Sequence, residues 1–242
     1  MAIWRDSVYI FNDGGNCRVM NLISGRLIRE FKLESYNKNT HVNTACFSSF
    51  YSKELGYPII YIGEYYMPSR CFVEGIKDNN SVLLQTIEFQ KEGIPQFVHG
   101  WIVDDRSKSL YAITRSDSQK GKSQSGGVRI WRFHLPKLRD MPHIVLSDTD
   151  SIESFTVYFD NGIQGSKIRG KYLYISTGLD EMSHDKFDSQ RAIQIIDLKK
   201  KKLVKTIDLT CVTVNEPEDI DFYHGKCLLF CGQNGGIYEV KL

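Results

Sequence analysis

Short apolar runs of strand length, each broken by a polar or glycine-bearing turn, recur along the chain. Five of them match in type: Ser7-Val-Tyr-Ile-Phe-Asn12, Pro58-Ile-Ile-Tyr-Ile62, Leu110-Tyr-Ala-Ile-Thr114, Lys171-Tyr-Leu-Tyr-Ile-Ser176 and Lys226-Cys-Leu-Leu-Phe-Cys231. Apolar stripes of helical period are scarce. Alternation of strand type, as in Ile193-Gln-Ile-Ile-Asp197, is frequent and predicts β-structure.

Residues 159–209 show the repeating unit best. A polar stretch with Gln164-Gly165 leads into a strand ending near Ile168. A turn at Arg169-Gly170 follows, then the strand Tyr172–Thr177. A polar loop from Gly178 to Gln190 precedes Ala192-Ile-Gln-Ile-Ile-Asp-Leu198, and a lysine turn returns the chain through Leu203–Leu209. Upstream, His99-Gly100-Trp101-Ile102-Val103, Leu110–Thr114 and Val128–Phe133 repeat this grammar, with His143–Leu146 as the predicted fourth strand. A preceding unit runs through 43–50, 58–62, 70–74 and 82–89. The two ends read as incomplete. Residues 7–33 give three strands with only Ala2-Ile3-Trp4 before them, and 219–240 give three with none after.

A repeat of roughly fifty residues built from four-stranded hairpin units predicts an all-β propeller of about five blades, as one domain over 1–242. A lone hairpin pair cannot bury both faces, whereas blades stacked around a ring bury them against each other. A β-sandwich or irregular barrel is the competing architecture. The short ends leave ring closure open; residues 1–5 serving as a last outer strand is one solution.

Gln164-Gly165-Ser-Lys-Ile-Arg-Gly-Lys-Tyr-Leu-Tyr-Ile-Ser-Thr-Gly178, Ala192–Leu198, and Glu216-Pro-Glu-Asp-Ile-Asp221 followed by His224-Gly225 resemble the broad superfamily of NHL, YWTD and lactonase-like propellers. The resemblance implies inner strands lining a central tunnel and a functional site at its mouth. In the lactonase-like members that site holds a divalent metal bound by Glu, Asn and Asp. The Trp-Asp signature of another propeller class is missing, since Trp131 is followed by Arg132.

Composition changes this picture little. Thirteen Tyr, thirteen Phe and three Trp suit pleated, half-buried surfaces. The net charge of +2 gives the whole chain no electrostatic case for nucleic acid. The basic block Lys199–Lys202 with Lys205 reads as a solvated hairpin turn and, secondarily, as a polyanion contact. Six cysteines form no CxxC pair, and no Cys–His group has zinc spacing. Cys227 and Cys231 share a strand face but stand too far apart to bridge. No apolar stretch spans a membrane. Compartment stays open: an extracytoplasmic location is an expectation only if an upstream signal has been removed.

The repeat frame supplies the leading candidate site. Asn43, His99, Gln164 and Glu218 occupy similar positions at the start of successive inner strands. Together they offer an imidazole, two amides and a carboxylate for a polar ligand or for a divalent cation such as calcium. Glu216 and Asp219 add charge beside Glu218. A second candidate is aromatic. Among Tyr57, Tyr61, Tyr65, Tyr66, Trp101 and Trp131, the pair Tyr65 and Tyr66, beside Met67-Pro68, is predicted to be exposed and to contact carbohydrate or protein. Tyr61, Trp101 and Trp131 are predicted to pack between blades. The acidic group Asp180, Glu181, Asp185 and Asp188, with His184, lacks calcium-loop spacing. The Ser/Gly/Lys loop at 116–127 has no phosphate-loop match, and no nucleophile elbow or HExxH pair occurs. The expected function is therefore non-enzymatic binding of a ligand or protein. The alternative is a metal-dependent hydrolase or lactonase, with Glu218 as metal ligand and His99 as candidate base.

Overall fold

A computed structural model describes the chain except residues 38–40, 116–126, 139–140, 160–161, 179–189 and 233–234. The Ser/Gly/Lys loop up to residue 126 and the acidic group at 180–188 lie outside the described residues. In chain order the strands are β1 (Ala2–Trp4), β2 (Ser7–Phe11), β3 (Asn16–Asn21) and β4 (Leu27–Lys32), then β5 (Val42–Ser48), helix α1 (Ser49–Leu55), β6 (Ile59–Glu64), β7 (Cys71–Lys77), β8 (Asn80–Lys91) and the short β9 (Ile94–Pro95). They continue with β10 (Val98–Asp104), β11 (Ser109–Arg115), β12 (Gly127–His134), β13 (His143–Ser147) and β14 (Glu153–Tyr158). The last are β15 (Ile163–Arg169), β16 (Tyr172–Thr177), β17 (Ala192–Asp197), β18 (Lys202–Asp208), β19 (Asp219–Tyr223), β20 (Lys226–Cys231) and β21 (Gly236–Val240).

These strands form five sheets. β1–β4 make blade 1, β5–β8 the body of blade 2, and β10, β11, β12 and β14 blade 3. β15–β18 make blade 4 and β19–β21 blade 5. Five buried clusters alternate with the five blades, one in each seam. The chain is an all-β, five-bladed propeller.

The second strands of blades 2 to 4 and the third strand of blade 4 are sandwiched between neighbouring blades and are largely buried. The third strands of blades 1 and 5 are partly exposed. β6 (IIYIGE) and β17 (AIQIID) are buried at every position, whereas the outer β18 (KLVKTID) is largely exposed. Hairpin turns take the left-handed backbone where the sequence supplies Gly170 (φ 64°), and Lys201 adopts it within the lysine turn (φ 54°).

Three expectations are corrected. Blade 1 is complete, because Ala2–Trp4 pairs with β2 as its inner strand and is not lent to blade 5. Among the described residues blade 5 alone has three strands, and β1 lies against β19 where the ring closes. His143–Leu146 is not the fourth strand of blade 3. β13 runs parallel to β8 on the outer edge of blade 2, and β14 takes the predicted place. The long β8 leaves an edge to cover, and the buried Gln85 side-chain amide donates to the carbonyls of Lys137 and Met141, steering the connection across. The strand expected over 43–50 stops at Ser48, where α1 begins; α1 ends at Gly56, which is left-handed (φ 80°) and donates to Ser52.

All six cysteines are free, and all but Cys211 are buried. No helix is long and apolar enough to cross a membrane among the described residues.

Candidate functional site

The inner strands β1, β5, β10, β15 and β19 all start at one end of the ring, the tunnel mouth. Three of the four frame residues sit in β-bulges. The pairing register slips between Val42 and Thr44, between Val98 and Gly100, and between Ile163 and Ser166. Asn43, His99 and Gln164 are therefore left out of the ladder, which re-aims them at the rim. The glycines that follow allow close approach between inner strands. A Cβ on Gly100 would lie 2.8 Å from Ser166 Oγ, and one on Gly165 would lie 2.2 Å from Asp219 Oδ1.

Below the rim the tunnel is filled. The inner strands of blades 2 and 4 approach each other across the axis. Lys167 Nζ meets Asp221 Oδ2 at 2.9 Å, and the same oxygen accepts from the Ile3 backbone N–H at 2.8 Å. Asp219 Oδ2 accepts from the Met1 ammonium at 2.6 Å in a buried pair. Each of these charges has a partner, as burial requires.

The frame residues do not close on one point. The Asn43 side-chain amide donates to the His99 carbonyl at 2.5 Å. The Gln164 amide donates to the Glu216 carboxylate and, at 3.4 Å, to the Gly178 carbonyl. Glu218 lies against Gly232, where an added Cβ would sit 2.4 Å from its Oε1. Burial raises the Glu218 carboxyl above the usual range, opposed by the Met1 ammonium and reinforced by Asp13 and Asp219. Asn43 and Glu218 share a cavity of about 950 Å³ that runs along blade 1 from blade 5 to the start of β5, bounded further by Asp13, Arg18 and Phe230. His99 and Gln164 lie outside its lining. Among the described residues no group of three His, Cys, Asp or Glu is placed to hold a metal ion. The acidic stretch at 216–219 divides likewise, with Asp219 buried and Glu216 half-buried.

His99 belongs to a different arrangement. Burial, helped by the Arg115 charge, pushes its imidazole down to about 3, so the ring is neutral near pH 7. It packs on Phe97 with ring centres 4.6 Å apart, Phe97 on Tyr65 at 4.9 Å, Tyr65 on His41 at 5.2 Å, and His41 on Tyr66 at 5.2 Å. This continuous aromatic arc joins the starts of β5 and β10 to the loop after β6, all on the tunnel-mouth rim. Tyr65, Tyr66 and Met67 are 36%, 52% and 52% exposed, whereas Tyr61, Trp101 and Trp131 are buried between blades 2 and 3. The pattern of short strands had not pointed to His41 or Phe97. Their position two residues before Asn43 and His99 was the available signal.

No protein-family model matches the chain, and no curated protein sequence matches it significantly. Solved structures are similar in shape. The hydrazine synthase of Kuenenia stuttgartiensis aligns with 98% of this chain and 63% of its own, at 11% identity and a TM-score of 0.43. The chain thus spans less than two thirds of that protein's length. The β-propeller domain of Myceliophteria thermophila Cps50 (Swd1) aligns with 100% of this chain and 82% of its own, at 13% identity and 0.47. These likenesses concern fold alone, and the propeller class rests on the sheet order described above. Nothing in them narrows the class to the NHL, YWTD or lactonase-like group.

Proposed function

We infer that the chain is a non-enzymatic recognition module whose ligand, a carbohydrate or a protein, docks on the tunnel-mouth rim. The observation that carries this reading is the arc of rings from Tyr66 through His41, Tyr65 and Phe97 to His99, which ties the exposed tyrosines to a frame residue. Three edge-to-face contacts and one tilted contact hold the rings in place, so little side-chain freedom remains to be lost on binding. The tyrosines offer an apolar face with a hydroxyl at its edge, a combination that favours contact surfaces. His99 near neutrality is a hydrogen-bonding ring of low basicity, which suits recognition better than proton abstraction.

A screen of glycans and purified proteins tests this. A ligand found there should bind at least tenfold more weakly to Tyr66→Ala and Tyr65→Ala, about 1.4 kcal/mol or more. Tyr158→Ala, at a site 73% exposed on blade 3, should leave binding unchanged. Equal affinity for all four proteins would remove the arc from the binding surface.

A further inference from the structure

The lysine turn takes on a role once its neighbours are placed. It lies at the end of the ring opposite the tunnel mouth, where the turns after β10, β15 and β17 surround a cleft of about 590 Å³ between blades 3 and 4. Arg106 and Arg132 of blade 3 and Lys171 and Lys199 of blade 4 all line it.

The carboxylates of this region are already engaged. Asp104 shapes its own turn, accepting from the Arg106 backbone N–H at 3.1 Å and from Ser107 Oγ at 2.5 Å. Asp197 accepts from the Lys199 and Lys200 backbone N–H groups at 3.0 Å each, and meets Lys171 Nζ at 3.1 Å. Glu153 meets Lys201 Nζ at 2.5 Å and, more distantly, Arg132 Nη1 at 3.9 Å. Arg132 is fixed further by donation from its Nε to Ser109 Oγ at 2.9 Å. Among the described residues neither the Arg106 guanidinium nor the Lys199 ammonium has a partner. The cleft thus presents two cations without an ion-pair partner among the described residues, on turns held by their own hydrogen bonds.

We propose that this cleft binds a phosphate-type dianion carried by a small ligand. Two unpaired positive charges match a dianion. A guanidinium fork and a point-charge ammonium lining one cleft provide more donors than the two oxygens of one carboxylate accept, and they suit an oxyanion with three free oxygens. The site is independent of the rim reading, being at the opposite end of the ring.

Titration calorimetry of the whole chain with sodium pyrophosphate at low salt tests the proposal. A single site is expected, with affinity falling as salt rises and falling at least tenfold in Arg106→Gln/Lys199→Gln. Lys53→Gln/Lys241→Gln removes the same charge from exposed positions elsewhere and should change affinity less than twofold. Equal losses in the two double variants would reduce the effect to net charge and overturn the site, as would failure of the unaltered chain to bind pyrophosphate. Citrate serves as the carboxylate control: binding as tight as pyrophosphate would overturn the phosphate assignment. Tyr66→Ala should leave pyrophosphate binding intact, which separates this outcome from that of the rim.

Discussion

The seam between blades 2 and 3 and the seam between blades 5 and 1 solve the same problem with unequal means. In the first, Trp101, Tyr61, Phe89, Trp131 and Phe133 interlock, with Phe89 ring centres 5.0 Å from Trp131 and 5.2 Å from Phe133, and β13 straps the outer edge. In the second, the buried residues are Met1, Val8 and Leu228, helped by half-buried Ile3, Ile10, Met20 and Phe230. That seam also contains part of the cavity and the buried pair of Asp219 with the Met1 ammonium. A ring need not be equally firm all round. Without strand exchange between the last and first blades, closure depends on a small apolar patch and on charges buried beside it.

The contrast can be broken at its strong side first. Trp101→Ala should cost about 3–5 kcal/mol, since a buried aromatic leaves a cavity that interlocked neighbours cannot fill. Urea unfolding measures this. Trp101→Phe should cost much less, because the indole N–H is buried without a partner and its removal relieves that penalty. On the weak side Leu228→Ala should cost about 2 kcal/mol, near the lower end for a leucine, because Leu228 is already 9% exposed and only two other buried residues share its cluster. Hydrogen exchange should then speed up in β1 and β19 before β10 and β11. Uniform acceleration would mean that the two seams open as one unit.

Legibility in the sequence follows the range of the interactions. The five second strands could be read because a strand buried on both faces must be apolar over its own length, as in β6. Two of the three bulged frame residues share a polar residue followed by glycine, at 99–100 and 164–165, whereas Asn43 is followed by Thr44 and was read from its place at the start of an inner strand. β13 could not, since His143–Ser147 has the same pattern whichever edge it joins, and the choice was made by Gln85 from another blade. The two ends looked alike because the three residues of β1 gain their place from contacts with blade 5, more than two hundred residues on. The aromatic arc was half visible, in Tyr65 and Tyr66, while His41 and Phe97 join it only through folding. The anion cleft was visible only through the lysine block at 199–202, read secondarily as a polyanion contact, and its other members were hidden for a similar reason. Net charge averages over both ends of the ring, and Arg106, Lys171 and Lys199 come from three separate turns.

The weak seam should also respond to pH, and the sign of the response discriminates between its two components. Burial pushes the Asp219 carboxyl up to about 6, while the Met1 ammonium and the Ile220 backbone N–H pull the other way. An unfolded aspartate titrates near ~4. With the folded value above the unfolded one, the fold favours the protonated form. The resulting stability is fully present below about pH 4 and is lost as pH rises through about 6. Glu218, also raised chiefly by burial, adds in the same direction. Urea midpoints of the unaltered chain and of Asp219→Asn, compared at intervals from pH 4 to 7, isolate the Asp219 contribution. The unaltered chain should lose stability relative to the variant across that window, with exchange in β1 and β19 rising in parallel. A relative gain instead would mean that the ammonium pair outweighs burial, and that the charge at this seam fastens the ring rather than loosening it.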